Sequence, residues 1–299
     1  MKVRFALPSD KENVLRFCAN TFEWGDYIAQ VWDSWYLDQN GVLLVAEDWI
    51  RHPKSKTAIA ISHASLCPNR NVWIEGIRVD SNYRRKGIAF KLLNEMLVYG
   101  KQHGAREAVA IVSINNKVSK LMMEKAGFNI MSKWSYYRIL AMNQKVDKEK
   151  DVKIATYEDI SRLWNYLNFS TVFEASIKHY VKSWRWYVLD FETLVQLVNN
   201  RKIVIICNDD DDDVVEGIAV IESEGHYKTD NKNSIVLQIT YVYVQNNHTL
   251  TELVSFVKRN YEDNAIIQVF STPSNHLSSD MKKFKICRFE DFLLYCKPL

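Results

Sequence analysis

Apolar residues alternate with polar or small ones over residues 3–6, 42–47, 57–66, 72–79 and 107–113, and a period of two is the mark of a half-buried strand. Between these runs the period changes. Beyond Val79, the residues Ala89, Leu92, Leu93, Met96, Leu97 and Gly100 recur at spacings of three and four. That places them on one stripe of a helix, which stops near Gly104. Ile28, Trp32 and Trp35 show the same helical spacing within residues 26–36. In the second half, strands are predicted over 203–206, 214–221 and 235–244. Mixed strands and helices in this order predict an α+β layer fold, with twisted mixed or antiparallel sheets flanked by helices.

The chain also repeats itself. Val3-Arg-Phe-Ala-Leu-Pro-Ser-Asp10 recurs as Val152-Lys-Ile-Ala-Thr-Tyr-Glu-Asp159. Asn116, Ser119 and Met122 are echoed at a slightly longer interval by Asn275, Ser278 and Met281, which allows for about ten inserted residues in the second copy. Two tandem domains are therefore expected, 1–147 and 148–299, divided within the charged stretch 143–151. At 299 residues, both halves are large enough for their own cores.

Composition narrows the class. With 47% hydrophobic residues, 25% charged, 9 Gly and 5 Pro, the chain has the profile of an ordered globular protein. Its 5 cysteines are odd in number and scattered, without a C-x-x-C pair, which suggests neither a disulfide framework nor a zinc site. No apolar leader precedes the first strand pattern, and no window approaches a membrane span, so a cytoplasmic location is expected. The run Asp209 to Asp213 lacks the alternating ligand spacing of a calcium loop and reads as a solvated hairpin turn, so no metal site is expected. The net charge of +3 conceals a basic first half and an acidic second half. No arginine-rich helix accompanies the basic half, so a small polyanion fits it better than nucleic acid does.

One segment can hold such a polyanion. Arg84-Arg85-Lys86-Gly87-Ile88-Ala89 joins the strand 72–79 to the amphipathic helix. A helix N-terminus offers unpaired N–H groups and positive partial charge; Gly87 and Ala89 let a diphosphate come close, and the three basic residues add charge. The second copy has Gln245-Asn-Asn-His-Thr-Leu250 at the corresponding joint, with neither glycine nor arginine.

Strand, turn and helix are followed by a further strand and by Asn116-x-x-Ser119-x-x-Met122-Met123-x-Lys125-x-Gly127-Phe128. Over residues 1–142 this resembles the GNAT acetyltransferase superfamily: the R-x-x-G-x-A turn matches its acetyl-CoA loop, and Asn116 to Phe128 matches its N-x-x-A-x-x-L-Y-x-K-x-G-F helix. The resemblance implies two tandem GNAT-like domains, the second degenerate, and acetyl transfer from acetyl-CoA to an amine. It also implies that the main chain at Ile77, Arg78 and Val79 pairs with pantetheine, with an N–H near Ile77 polarising the thioester, and that Asn116 holds the arm from the other side. Trp24-Gly-Asp-Tyr-Ile28, Trp32-Asp-Ser-Trp35 and Ile74-Glu-Gly-Ile-Arg-Val79 resemble the subgroup that includes vertebrate histidine N-acetyltransferase.

An ammonium acceptor must lose a proton before it attacks, which calls for a base. Glu75 is the candidate, since strand alternation sets it on the face of Trp73, Ile77 and Val79, where partial burial favours basicity. His63, alone on an apolar strand, reads as a core residue. Asp26, Tyr27 and Trp35 lie on the element that walls the acceptor pocket in the family, and so are candidates for substrate contact. Met123 stands where the family has a proton-donating tyrosine; Tyr83 and Tyr136 are substitutes. That departure keeps an acetyl-CoA-binding regulatory module open beside the enzyme. The expected acceptor is a small-molecule amine or amino acid, with a protein N-terminus or lysine as the alternative, and the chain is expected to be a monomer or homodimer.

Overall fold

The alternating runs of the first half form β1 (Lys2–Phe5), β2 (Gly41–Glu47), β3 (Ala58–Cys67), β4 (Asn71–Val79) and β5 (Glu107–Ser113), and the helical spacings form α1 (Lys11–Cys18), α2 (Ile28–Tyr36), α3 (Ile88–Gln102) and α4 (Lys117–Lys125). Residues 1–22, 25–48, 57–142, 152–207, 214–229, 232–244, 249–260, 266–272 and 284–299 are described by a computed structural model. Trp24, the boundary stretch 143–151, the acidic run 209–213, the joint 245–248 and the echoes Asn275, Ser278 and Met281 lie outside these residues.

Two compact units result: Met1–Ile130 with Leu294–Leu299, and Met131–Leu293. In the first, β1 to β4 pair antiparallel in sequence order, and β4 pairs parallel with β5. Its helices bury the expected stripes. Ile28, Trp32 and Trp35 of α2 join Val14, Cys18, Leu43, Val45 and Ile61 in one cluster. Leu92, Leu93 and Met96 of α3 are fully buried, each contributing roughly 1.5–3 kcal/mol. Gly100 sets the helix close to the sheet, because a Cβ there would fall 2.4 Å from Val72 Cγ1.

The second unit carries β6 (Asn129–Met142) from Met131 onward, then β7 (Val152–Ile154), α5 (Ile160–Asn168), α6 (Thr171–Ala175), β8 (His179–Lys182), β9 (Arg185–Val188), α7 (Phe191–Asn199), β10 (Ile203–Cys207), β11 (Val215–Thr229), β12 (Lys232–Val244), α8 (Thr249–Asn260), β13 (Ile266–Ser271) and β14 (Phe284–Pro298) up to Leu293. Its sheet runs β14-β6-β13-β12-β11-β10-β7, with the β12–β13 pair parallel. The repeat is visible locally. Asp10 Oδ2 accepts the Leu7 N–H at 2.8 Å, and Asp159 Oδ2 accepts the Thr156 N–H at 2.6 Å, so each copy enters its first helix through the same turn.

The packing units differ from a cut at 147/148. Strand β6, which sequence order assigns to the first copy, pairs with β13 in the second unit (Ile139↔Ile267, Tyr137↔Val269), and beside β5 the first unit has Leu294–Pro298 of the chain's last strand. Apolar strands with the same alternation fit either sheet equally well, so the pattern cannot say which sheet they join.

Candidate active site

The site is built where β4 parts from β5. The two strands are in register only at Asn71↔Glu107, Val72↔Ala108 and Trp73↔Val109, and beyond Trp73 β4 continues without β5. On its other side β4 pairs His63 with Glu75 and Ile61 with Arg78, so one extra residue is accommodated around Gly76, which has φ +67°. A bulge of this kind puts consecutive residues on one face. Gly76 consequently faces α2, where a Cβ would lie 2.4 Å from Trp35 Cη2, and Arg78 reaches the same side to pair with Asp26 at 2.7 Å. Glu75 shares its face with Trp73, as expected, but with Gly76 and Arg78 in place of Ile77 and Val79.

Four donors and acceptors meet around Glu75. Its Oε1 lies 2.9 Å from His63 Nδ1, and its Oε2 accepts the Trp73 Nε1–H at 3.2 Å. The far ring nitrogen of His63, Nε2, faces Asp38 Oδ2 at 3.4 Å. Asp38 Oδ2 in turn accepts from Ser65 Oγ at 2.6 Å. His63 is 0% exposed, whereas the Glu75 and Asp38 side chains are 17% and 19% exposed. An apolar strand of mainly small residues hides this histidine from sequence reasoning. The available signal was its place opposite Glu75 in an antiparallel pair, which needs the register.

The three acceptor-side candidates take different places. Trp35 is 6% exposed and stacks on His63 with ring centroids 4.7 Å apart and 7° between planes, so it packs against the imidazole. Asp26 is neutralised by Arg78 and also accepts the Ile28 N–H at 3.1 Å, at the start of α2. Tyr27 stands edge-on to Trp35 at 6.0 Å, with the Arg78 guanidinium 5.2 Å from its ring centroid. Burial pushes the Tyr27 phenol up to about 12; Arg78 opposes the rise, and Glu75 and Asp26 add to it. Tyr27 thus keeps its proton at neutral pH.

Past Val79 the chain makes the basic turn. Arg84, Arg85, Lys86 and Gly87 are exposed, and Ile88 is buried as the first residue of α3. Arg85 and Gly87 have positive φ, +61° and +74°, and nothing lies within 4 Å of where a Gly87 Cβ would be. Gly87 is the N-cap and has no side chain to satisfy the first-turn N–H groups of Ile88, Ala89 and Phe90. Arg84 Nε donates to the Val79 carbonyl at 3.2 Å, tying the turn to the end of β4. Asn116 caps α4, its Oδ1 accepting the Ser119 N–H at 3.0 Å, and is exposed. Met123 is buried on α4. Tyr83 lies under Lys86 Nζ, 5.0 Å from its ring centroid, whereas Tyr136 is buried in the second unit among Trp184, Phe270 and Phe292.

In the second unit α8 has Glu252 in its first turn, a carboxylate where α3 has none. A negative charge at a helix N-terminus occupies the potential that an anion would use. Among the described residues no group of three or more His, Cys, Asp or Glu is placed to hold a metal, and no helix is long and apolar enough to cross a membrane.

Residues 12–128 match the model of the Acetyltransferase (GNAT) family. A GCN5-related N-acetyltransferase from Sphaerobacter thermophilus superposes with a TM-score of 0.62 at 13% identity, covering 99% of this chain and 95% of that one. A tandem GNAT protein from the clavulanic acid biosynthesis pathway superposes with a TM-score of 0.53 at 12% identity, covering 99% and 98%. These likenesses establish the tandem fold. No curated protein sequence gives a significant match.

Proposed function

We propose that the chain is an N-acetyltransferase that carries acetyl from acetyl-CoA to the primary amine of a small molecule or amino acid, using a single site in the first unit. The observation that carries this reading is the parting of β4 from β5 beside Glu75, directly before an uncapped, basic helix N-terminus. The residues fit a coenzyme A thioester. Gly87 leaves open space, the first-turn N–H groups and Arg84, Arg85 and Lys86 suit its phosphates, and the Ile77–Arg78–Val79 main chain suits its amide-bearing arm. Asn116, whose Oδ1 caps α4, contributes from the far side through its amide N–H groups.

When bound, the thioester supplies the activated acetyl group. Glu75 accepts the proton of the acceptor ammonium, which frees the nitrogen lone pair to form the new N–C bond as the C–S bond breaks, and the proton shed by the acylated nitrogen ends on the departing thiolate. A main-chain N–H near Ile77 stabilises charge on the carbonyl oxygen. Thiolate departure needs no tyrosine, since a thiol of pKa about 8.5 leaves readily, and Met123 is compatible with turnover. Asp26 and Tyr27 border the acceptor side.

A second reading, an acetyl-CoA-binding regulatory module, is favoured by Met123 alone. One assay separates them: thiol release from acetyl-CoA with a panel of free amino acids, histidine included, polyamines and peptides. Turnover on a small amine that drops on the order of 100-fold or more in Glu75→Gln supports the enzyme. Tight acetyl-CoA binding with no turnover on any amine would establish the module, and turnover confined to peptides would shift the acceptor to a protein N-terminus or lysine.

A further inference from the structure

The chemistry assigned to Glu75 leaves unexplained why a fully buried histidine stands directly across the strand pair from it, with a second carboxylate behind. A carboxylate oxygen only accepts hydrogen bonds, so in the 2.9 Å contact between His63 Nδ1 and Glu75 Oε1 the ring nitrogen bears the proton. Nε2 is then committed to the other side, where it makes no hydrogen bond and faces Asp38 Oδ2 at 3.4 Å. A histidine serving the core alone would be expected to satisfy both nitrogens with neutral partners.

The row is held by its surroundings. Trp35 fixes the ring plane by stacking at 4.7 Å, and Gly76 makes room for that indole. Ser65 holds Asp38 at 2.6 Å. Gly41 allows the last approach, because a Cβ there would lie 2.4 Å from Asp38 Oδ2 and 2.8 Å from His63 Nε2. Two glycines, a serine and a tryptophan thus converge on one imidazole whose proton points at the proposed base.

We propose that His63 is the positioning residue of Glu75, with the Asp38 carboxylate facing its far ring nitrogen, so that the base works at the outer end of a carboxylate–imidazole–carboxylate row. The proposal rests on the reading of Glu75 as the base. His63 acts here as a hydrogen-bond donor. Its Nδ1–H fixes the Glu75 rotamer and stabilises the ionised carboxylate. When Glu75 takes the ammonium proton, an N–H bond breaks and an O–H bond forms; the same N–H donor then favours return of that proton to water. Ionisable groups around the row among the described residues include the Asp26–Arg78 ion pair, which is neutral overall, and the protonated Tyr27 on the α2 side. Burial raises the phenol of Tyr99 on α3, and the Asp38 charge adds to the rise.

The test compares wild type, His63→Leu, His63→Asn, Asp38→Asn and the Leu/Asn double variant, reading the pH profile of kcat/KM and, independently of turnover, the 13C titration of the Glu75 carboxyl. Loss of the donor in His63→Leu should move the acidic limb and the carboxyl titration upward by roughly one pH unit. It should also lower kcat about 10-fold to 100-fold, with KM for acetyl-CoA unchanged within about twofold. His63→Asn, whose side-chain amide reproduces the Nδ1 donor, should keep the wild-type limb. Asp38→Asn should move the limb in wild type and have no further effect in His63→Leu. An unmoved limb in folded His63→Leu, a His63→Asn that behaves like His63→Leu, or an Asp38→Asn shift that is the same in both backgrounds would overturn it. If His63→Leu does not fold, His63→Asn and Asp38→Asn decide. If the wild type acetylates no amine, the function proposed for the site fails, while the carboxyl titrations still settle whether His63 and Asp38 control Glu75.

Discussion

The place of Glu75 on the face of Trp73 was legible from sequence because alternation and a polar residue in an apolar strand are both local signals. Its partners were not. Asp38, His63 and Glu75 are separated along the chain, and the bulge at Gly76 breaks the period of two that would have assigned neighbours beyond it. Trp35 shows the same limit: helical spacing places it on a stripe, but whether that stripe faces open space or packs on His63 depends on where α2 lies over β3 and β4. Gly41 gives the row a test at one atom. Adding a methyl at Gly41 forces Asp38 and the buried ring apart, so Gly41→Ala should cost about 1–3 kcal/mol in urea unfolding. It should also move the Glu75 titration in the manner of Asp38→Asn; a variant as stable as wild type with an unshifted titration would show that the close approach at Gly41 is unimportant.

Elements were the most readable level in the first half, where β2 to β5 and α3 fall within about two residues of their expected bounds. Long periodic runs and a glycine just past the helix end carry strong signals. The hairpin β8–β9 went unread for a physical reason. Its turn residues, Ser183 and Trp184, adopt φ of +50° and +61° without the glycine or asparagine that usually marks such a turn. Tertiary packing supplies the missing preference: Trp184 lies against Tyr136 and Phe270, and the Ser183 N–H donates to Gln238 Oε1 at 3.0 Å. At this scale the repeated turn before α5 sets a pH dependence. Burial would raise the Asp159 carboxyl, but the Thr156 N–H and hydroxyl and the Arg162 guanidinium outweigh it and hold the group below its ordinary value. A carboxyl lowered by folding stabilises the fold above its unfolded value near 3.8 and loses that contribution as pH falls through its folded value. Asp159→Asn should therefore cost roughly 1–2 kcal/mol at pH 7, and the difference from wild type should close in acid, once the pH falls through the lowered value of the carboxyl, in denaturant melts. An equal deficit at both pH values would argue against the charged pairings.

At the scale of the whole molecule, duplication was legible in the paired motifs at Asp10 and Asp159, and the loss of the basic turn from the second copy was legible at residues 245–250. Assignment of the last strand was not, since Leu294–Leu299 packs with Met1–Ile130. Tyr295 and Cys296 are buried there, the Leu299 N–H donates to the Arg106 carbonyl at 2.9 Å, and Lys297 Nζ donates to the Ala126 carbonyl. Deleting residues 294–299 should therefore destabilise the first unit, read as loss of acetyl-CoA binding and early unfolding of residues 1–130 in hydrogen exchange; unchanged protection there would contradict the strand assignment. The central claim is a single acetyl-CoA site on the basic N-terminus of α3. Calorimetric titration of acetyl-CoA into the full chain measures it most directly. One molecule should bind per chain, and binding should be lost in Arg84→Ala/Arg85→Ala/Lys86→Ala. Two equivalent sites, or a single site that survives the triple substitution at full affinity, would contradict the account.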